Sequence, residues 1–321
     1  MIRLLGMGNA LTDVLMSIDS DDLLKELDLP KGSMQLINQE QFFRISARVA
    51  HLPKHLVCGG SAANTITGAS RLGVASGFIG KVYRDEVGLN YEQDLQSYGV
   101  QSYLLNGALA SGQCLVFVSP DGERTFATYL GAAANLLPED IRPDYFRDSN
   151  LFYIEGYLVQ NHELILKAVQ TARKEGLRVA LDLASFNVVE DNLDFLNNIV
   201  SSYVDIVFAN EEEAKALTGL QPAEALESIA SQVEIAVVKV GERGAMAIRG
   251  NEKVFVPAIQ ANCVDTTGAG DLFAAGFIYG LSTGQSLADC TRYGTITAGR
   301  VIEVMGPKMT DTTWDLIRSN F

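Results

Sequence analysis

The stretch Asp265-Thr-Thr-Gly-Ala-Gly-Asp271 (DTTGAGD) places a glycine-rich turn directly before the apolar run LFAAGFIYGL, residues 272–281. A turn that leads into a helix N-terminus is an anion site, because its amides point outward and the helix dipole is positive there. Gly268 and Gly270 let the backbone approach a ligand closely. Asp271, in the first helical turn, could accept a proton from an attacking hydroxyl while the amides hold the developing charge. This division of roles suits phosphoryl transfer. A helix-start acid beside two turn glycines is the alternative.

The rest of the chain alternates short apolar runs with helical patterns. IRLLGMG (2–8) indicates a strand that ends in glycine, and SAANTITGASRLG (61–73) indicates a helix with Ser61 as its cap. In the second half LFYIEGY, RVALDLA, DIVFAN and EIAVVKVG alternate with helical segments. These strands are apolar on both faces, as expected when helices cover both sides of a parallel sheet. The sequence therefore predicts an α/β fold with a doubly wound, mostly parallel sheet.

Two segments interrupt this alternation, residues 14–40 and residues 101–130. In the second, CLVFV and RTFATYL flank SPDGE (119–123), and Asp-Gly between two β-prone runs is a strong hairpin signal. Both segments are too rich in β-formers to be crossover helices. We expect them to form a small β-sheet that projects from the main domain as a lid. The large α/β domain is then expected to comprise residues 1–13, 41–100 and 131–321.

Composition limits the class of protein. The 321 residues are 47% hydrophobic and carry a formal net charge of −14, so we expect a packed globular protein whose acidic surface argues against nucleic acid as a partner. The chain lacks an apolar run of about 18 residues, which argues against a membrane span. Its N-terminus lacks a signal-peptide pattern, so a cytoplasmic location is expected. The four cysteines are scattered singly, which favours reduced thiols over a zinc site.

Four motifs resemble, in order, the signatures of the ribokinase-like sugar and nucleoside kinases, the PfkB family, and the resemblance covers essentially the whole chain. DTTGAGD matches the family pattern DT-x-GAGD in full. Cys58-Gly-Gly-Ser-Ala-Ala-Asn64, with the helix that follows it, resembles the N-terminal glycine-rich signature. Asn210-Glu-Glu-Glu213 matches N-x-x-E, and Val238-Lys-Val-Gly-Glu-Arg-Gly244 resembles a nucleotide-binding segment at a strand end. The resemblance implies an ATP-dependent kinase that acts on an alcohol group.

The resemblance also implies roles at the phosphate end of the site. Asp271 is then the catalytic base, and the amides of Gly268, Ala269 and Gly270 form the anion hole for the transferring phosphoryl group. On the nucleotide side, Asn210 then contacts the phosphates and Glu213 orders Mg²⁺ through water. Lys239, Gly241 and Gly244 line the adenine nucleotide. Water-mediated ordering suits Mg²⁺, a hard ion that keeps several waters. From the residues alone, an ordinary capped helix start also explains NEEE, and a solvated lysine at a strand end explains position 239.

At the acceptor end the resemblance points to Asp13, in GMGNALTD, as the carboxylate that bridges two adjacent sugar hydroxyls. A carboxylate that accepts two O–H bonds is apt for this role. Asn9 and Asn64 then add polar contacts, and Gly59 with Gly60 admits the sugar close to the backbone. A turn acid is the alternative for Asp13.

Asp265 and Thr267 are candidates for a monovalent-cation site, since several relatives use K⁺ or a similar ion. The pattern of residues leaves a loop-bracing role for Asp265 equally open.

The acceptor is less well defined. The start GMGN followed by Asp13, and Cys114 in the expected lid, resemble adenosine kinases, whereas PDGERTFATYLGAA is more typical of bacterial sugar kinases. Residues 14–40 contain no aromatic residue that could hold a base; Phe117, Phe126 and Tyr129 follow later, where a core position is the usual reading. We expect a ribosyl-type acceptor such as adenosine or ribose, with a fructose-type hexose as the alternative.

Other classes fit the sequence less well. A dinucleotide-dependent oxidoreductase would need G-x-G-x-x-G after the first strand, but Leu11 occupies the third glycine position. A Walker-type loop is absent from the sequence. A sugar-binding relative without catalysis would predict a changed Asp271 or a broken glycine pair, and neither change is present. In some relatives the lid sheets of two subunits pair, so a homodimer formed through the lid is a further expectation.

Overall fold

Two β-sheets organise the chain in the computed structural model, which describes residues 3–321. A nine-stranded sheet has the order β14-β13-β12-β11-β10-β9-β1-β5-β6, and a five-stranded sheet has the order β3-β8-β7-β2-β4. The strands are Arg3–Met7 (β1), Leu11–Ser17 (β2), Met34–Leu36 (β3), His55–Gly59 (β4), Ala75–Val82 (β5), Gln101–Asn106 (β6), Gly112–Val118 (β7), Arg124–Tyr129 (β8), Leu151–Glu155 (β9), Arg178–Asp182 (β10), Ile206–Asn210 (β11), Ile235–Lys239 (β12), Ala245–Arg249 (β13) and Glu252–Val256 (β14).

The first two helices pack on the five-stranded sheet, and the later ones cover both faces of the large sheet. They are Asp22–Glu26 (α1), Gln39–Arg48 (α2), Ser61–Arg71 (α3), Glu86–Ser97 (α4), His162–Lys174 (α5), Phe186–Asp191 (α6), Leu193–Tyr203 (α7), Glu211–Thr218 (α8), Pro222–Ala230 (α9), Ala269–Ser282 (α10), Leu287–Val301 (α11) and Asp311–Ser319 (α12). Short 3₁₀ turns lie at Gly131–Asn135, Pro138–Asp140, Pro143–Tyr145, Gly156–Gln160 and Gly241–Arg243.

The large sheet confirms the predicted α/β class. Its strands are parallel from β6 to β12, and at one edge β13 pairs antiparallel with both β12 and β14. Strand β9 is buried at every position, and so is β12 up to its final lysine, because two separate hydrophobic cores pack against opposite faces of the sheet. The predicted strand at residues 2–8 appears as β1; Met1 and Ile2 lie outside the described residues.

Helix α10 explains the apolar run after DTTGAGD. Eight of its residues are buried, and it packs between α3 and α11 beneath the sheet. Phe277 meets Phe208 of β11 edge to face, with ring centroids 5.4 Å apart. The core therefore holds the N-terminus of this helix firmly in place at the sheet edge.

The five-stranded sheet, with α1 and α2 packed on one of its faces, forms a small unit (residues 11–59 and 112–129). Strands β7 and β8 pair antiparallel, and the amide of Ser119 donates to the carbonyl of Glu123 at 2.8 Å, which confirms the predicted hairpin. Phe42 of α2 stacks on Tyr129 with ring centroids 4.5 Å apart, so α2 is anchored to this sheet.

The sequence assigned two strands to the wrong sheet. Residues 101–106, expected in the lid, form β6 at the edge of the large sheet, and residues 55–59, expected in the large domain, form β4 beside β2. Helix α2 likewise belongs to the small unit. Edge strands are half-exposed, so their residue pattern does not distinguish one sheet from another.

Within residues 3–321, none of the helices combines the length and the apolar character needed to cross a bilayer.

Candidate active site

The carboxyl ends of neighbouring parallel strands meet along one edge of the large sheet. Register pairs Asp182 at the end of β10 with Glu155 at the end of β9, and Asn210 of β11 with Lys239 of β12. Strand β1 lies between β5 and β9, so the chain order reverses at this point. Open α/β sheets bind ligands at such a reversal, outside the carboxyl ends of the strands.

A cleft of about 830 Å³ opens at this edge. Most of the predicted site residues line it. They are Asp13, Gly60, Asn64, Asn210, Glu213, Lys239, Gly241, Gly244, Thr267, Gly268, Ala269, Gly270 and Asp271. Three predicted site residues, Asn9, Gly59 and Asp265, are not part of its lining.

Asp271 sits in the first turn of α10 and is held by the other glycine-rich motif. Ser61 Oγ donates to Oδ1 at 2.7 Å, and Asn64 Nδ2 donates to Oδ2 at 2.9 Å. Ser61 is therefore not the cap of α3, as the sequence suggested; Gly60 takes that position with φ of 93°, and the Ser61 hydroxyl is free to hold the carboxylate. Burial raises the pKa of Asp271 to about 6, against the opposing effect of the two hydrogen bonds.

The turn before Asp271 has the geometry of an anion site. Gly268 has φ of 78°, and a Cβ there would lie 2.8 Å from Pro307 Cβ, so glycine is required for both backbone and packing reasons. The first amides of a helix have no partner within it and point out of its N-terminus. Of the three expected anion-hole amides, that of Ala269 donates to the Thr266 carbonyl at 3.1 Å.

Lys239 lies among carboxylates with its side chain only 15% exposed, so it is not a solvated lysine. Its Nζ lies 3.0 Å from Asp182 Oδ2, and it stands 3.1 Å from where a Cβ on Gly270 would be. Burial opposes its charge, but Asp182 and Glu213 outweigh this effect and raise the pKa of Lys239. The sequence analysis did not identify Asp182 as a site residue. The only feature that could have indicated it is an acidic residue at the end of an apolar strand.

Asn210 and Glu213 form a reciprocal cap at the start of α8. Asn210 Oδ1 accepts from the Glu213 amide at 2.8 Å, while the Asn210 backbone and side-chain amides donate to Glu213 at 2.7 Å. The capping interpretation is thus confirmed, yet both residues also line the cleft. Burial raises the pKa of Glu213; Lys239 acts against this effect and the nearby Asp182 carboxylate adds to it.

At the other end of the cleft, Asp13 faces inward from β2 of the small unit. Burial raises its pKa to about 6, although Arg124 acts in the opposite direction. Asn64 and Gly60 lie on the facing motif, and Phe126 of β8 adds an aromatic side chain. This end combines a carboxylate, an amide and an apolar ring, which suits a polyhydroxylated acceptor.

Glu155 is a second residue that the sequence reasoning missed. Its Oε1 accepts from the Asn9 backbone amide at 2.9 Å and from Asn9 Nδ2 at 2.7 Å, and its Oε2 accepts from the Ala62 amide at 2.8 Å. The Asn9 side chain therefore binds Glu155. It does not line the cleft, contrary to the expectation from the sequence. Glu155 joins the segment after β1 to the start of α3, the two backbone pieces that frame the acceptor end.

We expect Glu155→Ala to destabilise the protein by about 2–4 kcal/mol, because three buried N–H donors lose their acceptor. The KM for the acceptor should rise more than the KM for ATP, since the disturbed segments frame the acceptor end. Urea unfolding and steady-state kinetics measure both effects. Glu190→Gln, a change at an exposed position, is the control. Equal increases in both KM values would contradict this positioning role.

Asp265 accepts four hydrogen bonds. Thr267 donates to Oδ1 from its amide at 3.1 Å and from its hydroxyl at 2.8 Å, and Oδ2 accepts from the Gly306 amide at 2.7 Å and from Arg124 Nη1 at 3.0 Å. Burial opposes its ionisation, but these hydrogen bonds and the guanidinium lower its pKa. The carboxylate thus braces the loop in front of α10.

The doubly wound sheet, the small unit at its edge and the carboxylate in an anion-binding turn define the class of α/β phosphotransferases. The chain belongs to the pfkB family of carbohydrate kinases, whose family pattern matches residues 36–313. It is accordingly a kinase that transfers a phosphoryl group to an alcohol, with the ribokinase-like fold that its structural neighbours share.

Among similar proteins, the adenosine kinase from Sinorhizobium meliloti superposes with a TM-score of 0.87 and 36% identity, over 100% of this chain and 99% of the other. A probable sugar kinase from Rhizobium etli has a TM-score of 0.87 and 35% identity, over 99% and 98%. The 5-dehydro-2-deoxygluconokinase of Geobacillus thermodenitrificans is 30% identical over 263 residues, which cover 76% of this chain and 78% of that protein.

Proposed function

We propose that this kinase transfers the γ-phosphoryl group of ATP to the hydroxymethyl group of a ribosyl-type acceptor, adenosine or ribose first. The observation that carries the proposal is the Asp271 carboxylate, held by Ser61 and Asn64 inside the anion-binding turn, between the end of the cleft at Asp13 and the end at Gly241 and Gly244. The proposed base thus lies between the acceptor end of the cleft, at Asp13, and the nucleotide end, at Gly241 and Gly244.

The reaction follows from this placement. The Asp271 carboxylate accepts the proton of the acceptor hydroxyl, whose oxygen forms a bond to the γ-phosphorus as the bond from that phosphorus to the β–γ bridging oxygen breaks. ADP leaves, and the phosphate ester and the protonated Asp271 remain. The outward amides of Gly268 and Gly270, with Lys239 beside them, stabilise the charge on the transferring group. The small unit is proposed to close over the acceptor as a lid and to exclude water.

The residues present fit a requirement for Mg²⁺. Five acidic residues line the cleft against one lysine, so the polyanionic ATP needs a further cation to enter; they are Asp13, Asp182, Glu213, Glu242 and Asp271. We propose Glu213 as the carboxylate that orders Mg²⁺ through water, because it faces the cleft beside the phosphate turn. When bound, the ion would neutralise phosphate charge.

The nucleotide end of the cleft is more apolar than the acceptor end. Beyond Gly241 and Gly244 the cleft is lined by small and branched apolar residues, which suit the face of a purine. They are Ala258, Ile259, Ala298 and Ile302.

Two observations favour a ribosyl acceptor. Phe126 supplies an apolar ring at the acceptor end, where a base could stack, and the adenosine kinase of Sinorhizobium meliloti matches the full length of this chain. The similar sugar kinases support the alternative, a hexose or related sugar as acceptor.

The test is ATP-to-ADP turnover with Mg²⁺ against a panel of adenosine, other nucleosides, ribose, fructose and 5-dehydro-2-deoxygluconate. We expect one strong acceptor with a ribosyl group. Strong turnover with only a hexose or a keto-sugar would overturn the ribosyl assignment and keep the kinase. Absence of turnover with the whole panel, despite ATP binding, would argue against this acceptor class.

Asp13→Asn is expected to lower kcat/KM for the acceptor about 10²–10³-fold, because two charge-assisted hydrogen bonds to the acceptor weaken. The KM for ATP should stay unchanged, since Asp13 lies at the other end of the cleft. Asp22→Asn, a highly exposed acid in the same small unit, is the matched control. A similar loss in KM for ATP would mean that Asp13 supports the whole cleft and does not select the acceptor.

We also propose that two copies associate through the small unit. Met34 and Leu36 lie on its edge strand β3 and are 63% and 62% exposed, and an exposed apolar edge strand is a template for pairing. Light scattering of the wild type and of Leu36→Lys would test this, with a dimer expected only for the wild type. The four cysteines are free, in keeping with the proposed reducing, cytoplasmic location.

A further inference from the structure

The Asp265 carboxylate has no acceptor site to spare. An ionised carboxylate offers about four lone-pair sites, and here Thr267 fills two, Gly306 one and Arg124 one. Hard cations bind oxygen atoms whose lone pairs face them. The arrangement at Asp265 thus fits a guanidinium and does not fit an additional monovalent ion.

The guanidinium comes from the small unit. Arg124 begins β8 and lies 141 residues before Asp265 in the chain. Among the ion pairs found within residues 3–321, it is this pair that joins the small unit to the large one. Both side chains are nearly buried, at 12% and 11% exposure, so the contact is shielded from solvent and salt.

The other contacts of Asp265 show what the pair holds. Its own amide and that of Val264 donate to the Ile302 carbonyl, and its Oδ2 accepts from Gly306, so it fastens the loop in front of α10 to the segment after α11. The same loop runs on through Gly268 into the anion-binding turn. A shift at Asp265 would therefore displace the amides that face the phosphoryl group.

We propose that Arg124 takes the place of a monovalent cation at Asp265, so that the small unit itself braces the phosphate-binding loop and the enzyme needs no K⁺. Arg124 is a positioning residue in this account, because it acts on the reaction through Asp265 and the loop. Phosphoryl transfer is then linked to contact between the two units. The inference rests on the proposed function for its kinetic readout only.

The first measurement compares wild-type protein in K⁺ and in tetramethylammonium buffers. We expect the same Tm and the same kcat in both. Arg124→Ala should lower kcat at least about tenfold through misplacement of the loop. In that variant K⁺ should raise the Tm and restore part of kcat, because the Oδ2 lone pair that Arg124 occupied becomes free to bind it. A wild type that K⁺ stabilises or activates, or an Arg124→Ala variant with full activity and no response to K⁺, would overturn the proposal.

Arg48→Ala is the matched control, since Arg48 is an arginine of the same unit whose partner, Glu26, also lies in that unit. It should show neither the loss of kcat nor the response to K⁺. Arg124→Gln serves if the alanine variant fails to fold, and the wild-type comparison stands with either. The thermal shift needs no turnover, so a failure of the acceptor assignment and a failure of this proposal give different results.

Discussion

Asp271→Asn is expected to lower kcat about 10²–10⁴-fold, the range that general bases contribute. The amide keeps the shape of the carboxylate and can still bond to Ser61 and Asn64, but it cannot accept the proton of the acceptor hydroxyl. The affinities for ATP and acceptor should remain close to those of the wild type. Steady-state kinetics and calorimetric binding measure the two effects separately.

The same variant should be more stable than the wild type at neutral pH. Folding raises the pKa of Asp271 from 3.8 to about 6, so the folded state binds its proton more tightly than the unfolded state. The ionised side chain therefore opposes folding above that pKa, and this cost is lost progressively as the pH falls from about 6 to 3.8. Removing the charge should increase the free energy of unfolding by about 1–3 kcal/mol.

The pH profile of the wild type follows from the same shift. Below about pH 6 the base is protonated, so kcat/KM should fall about tenfold per pH unit on the acid side. Asp311→Asn, an exposed acid in the first turn of α12, is the control for a simple helix-start role. Full activity of Asp271→Asn would contradict the base assignment, and equal stability of the variant would contradict the burial argument.

Lys239→Met is expected to cost about 3–5 kcal/mol of stability, the usual result of removing one partner from a buried ion pair. Asp182 is then left without its 3.0 Å contact, in a space that it shares with Glu213 and Asp271. Phosphoryl transfer should also be lost, because the lysine stands beside the anion-binding turn. Urea unfolding and kcat measure the two effects.

The double variant Lys239→Met/Asp182→Asn separates charge from packing. It should recover a large part of the stability and none of the activity, since the uncompensated carboxylate has been neutralised but the cation is still missing. Lys253→Met is the control, because its pair with Glu227 is exposed and should be worth less than about 1 kcal/mol. A double variant as unstable as the single one would show that Lys239 acts through packing.

Local features were predicted where a few neighbouring residues decide the conformation. The turn at Gly268 needs a positive φ, and the apolar residues after it form a buried helix, so DTTGAGD leads directly into a helix start. The hairpin at residues 119–123 and the reciprocal cap of Asn210 and Glu213 follow from equally local chemistry. Asp271, the proposed base, was singled out by its position in this turn.

The partners of these residues were beyond local reasoning. Ser61 was expected to cap its own helix, yet it holds a carboxylate 210 residues away. The sequence is compatible with a solvated Lys239, and only the fold shows that Asp182 of β10 lies against it. Glu155 is likewise one acid among several at strand ends in the sequence, and only the fold places Asn9 and Ala62 within hydrogen-bond distance of it.

The amino-acid sequence by itself determined the alternation of strands and helices, and the glycine turn before α10 with Asp271 in the first turn of that helix, because backbone preferences and hydrophobic spacing act over a few residues. Only the tertiary structure decided which sheet each edge strand joins, which charges are buried together, and that Arg124 of the small unit meets Asp265 of the loop. Those outcomes depend on which strand ends come together across long crossover connections. Residue spacing and composition do not predict such contacts between residues that are distant in the sequence.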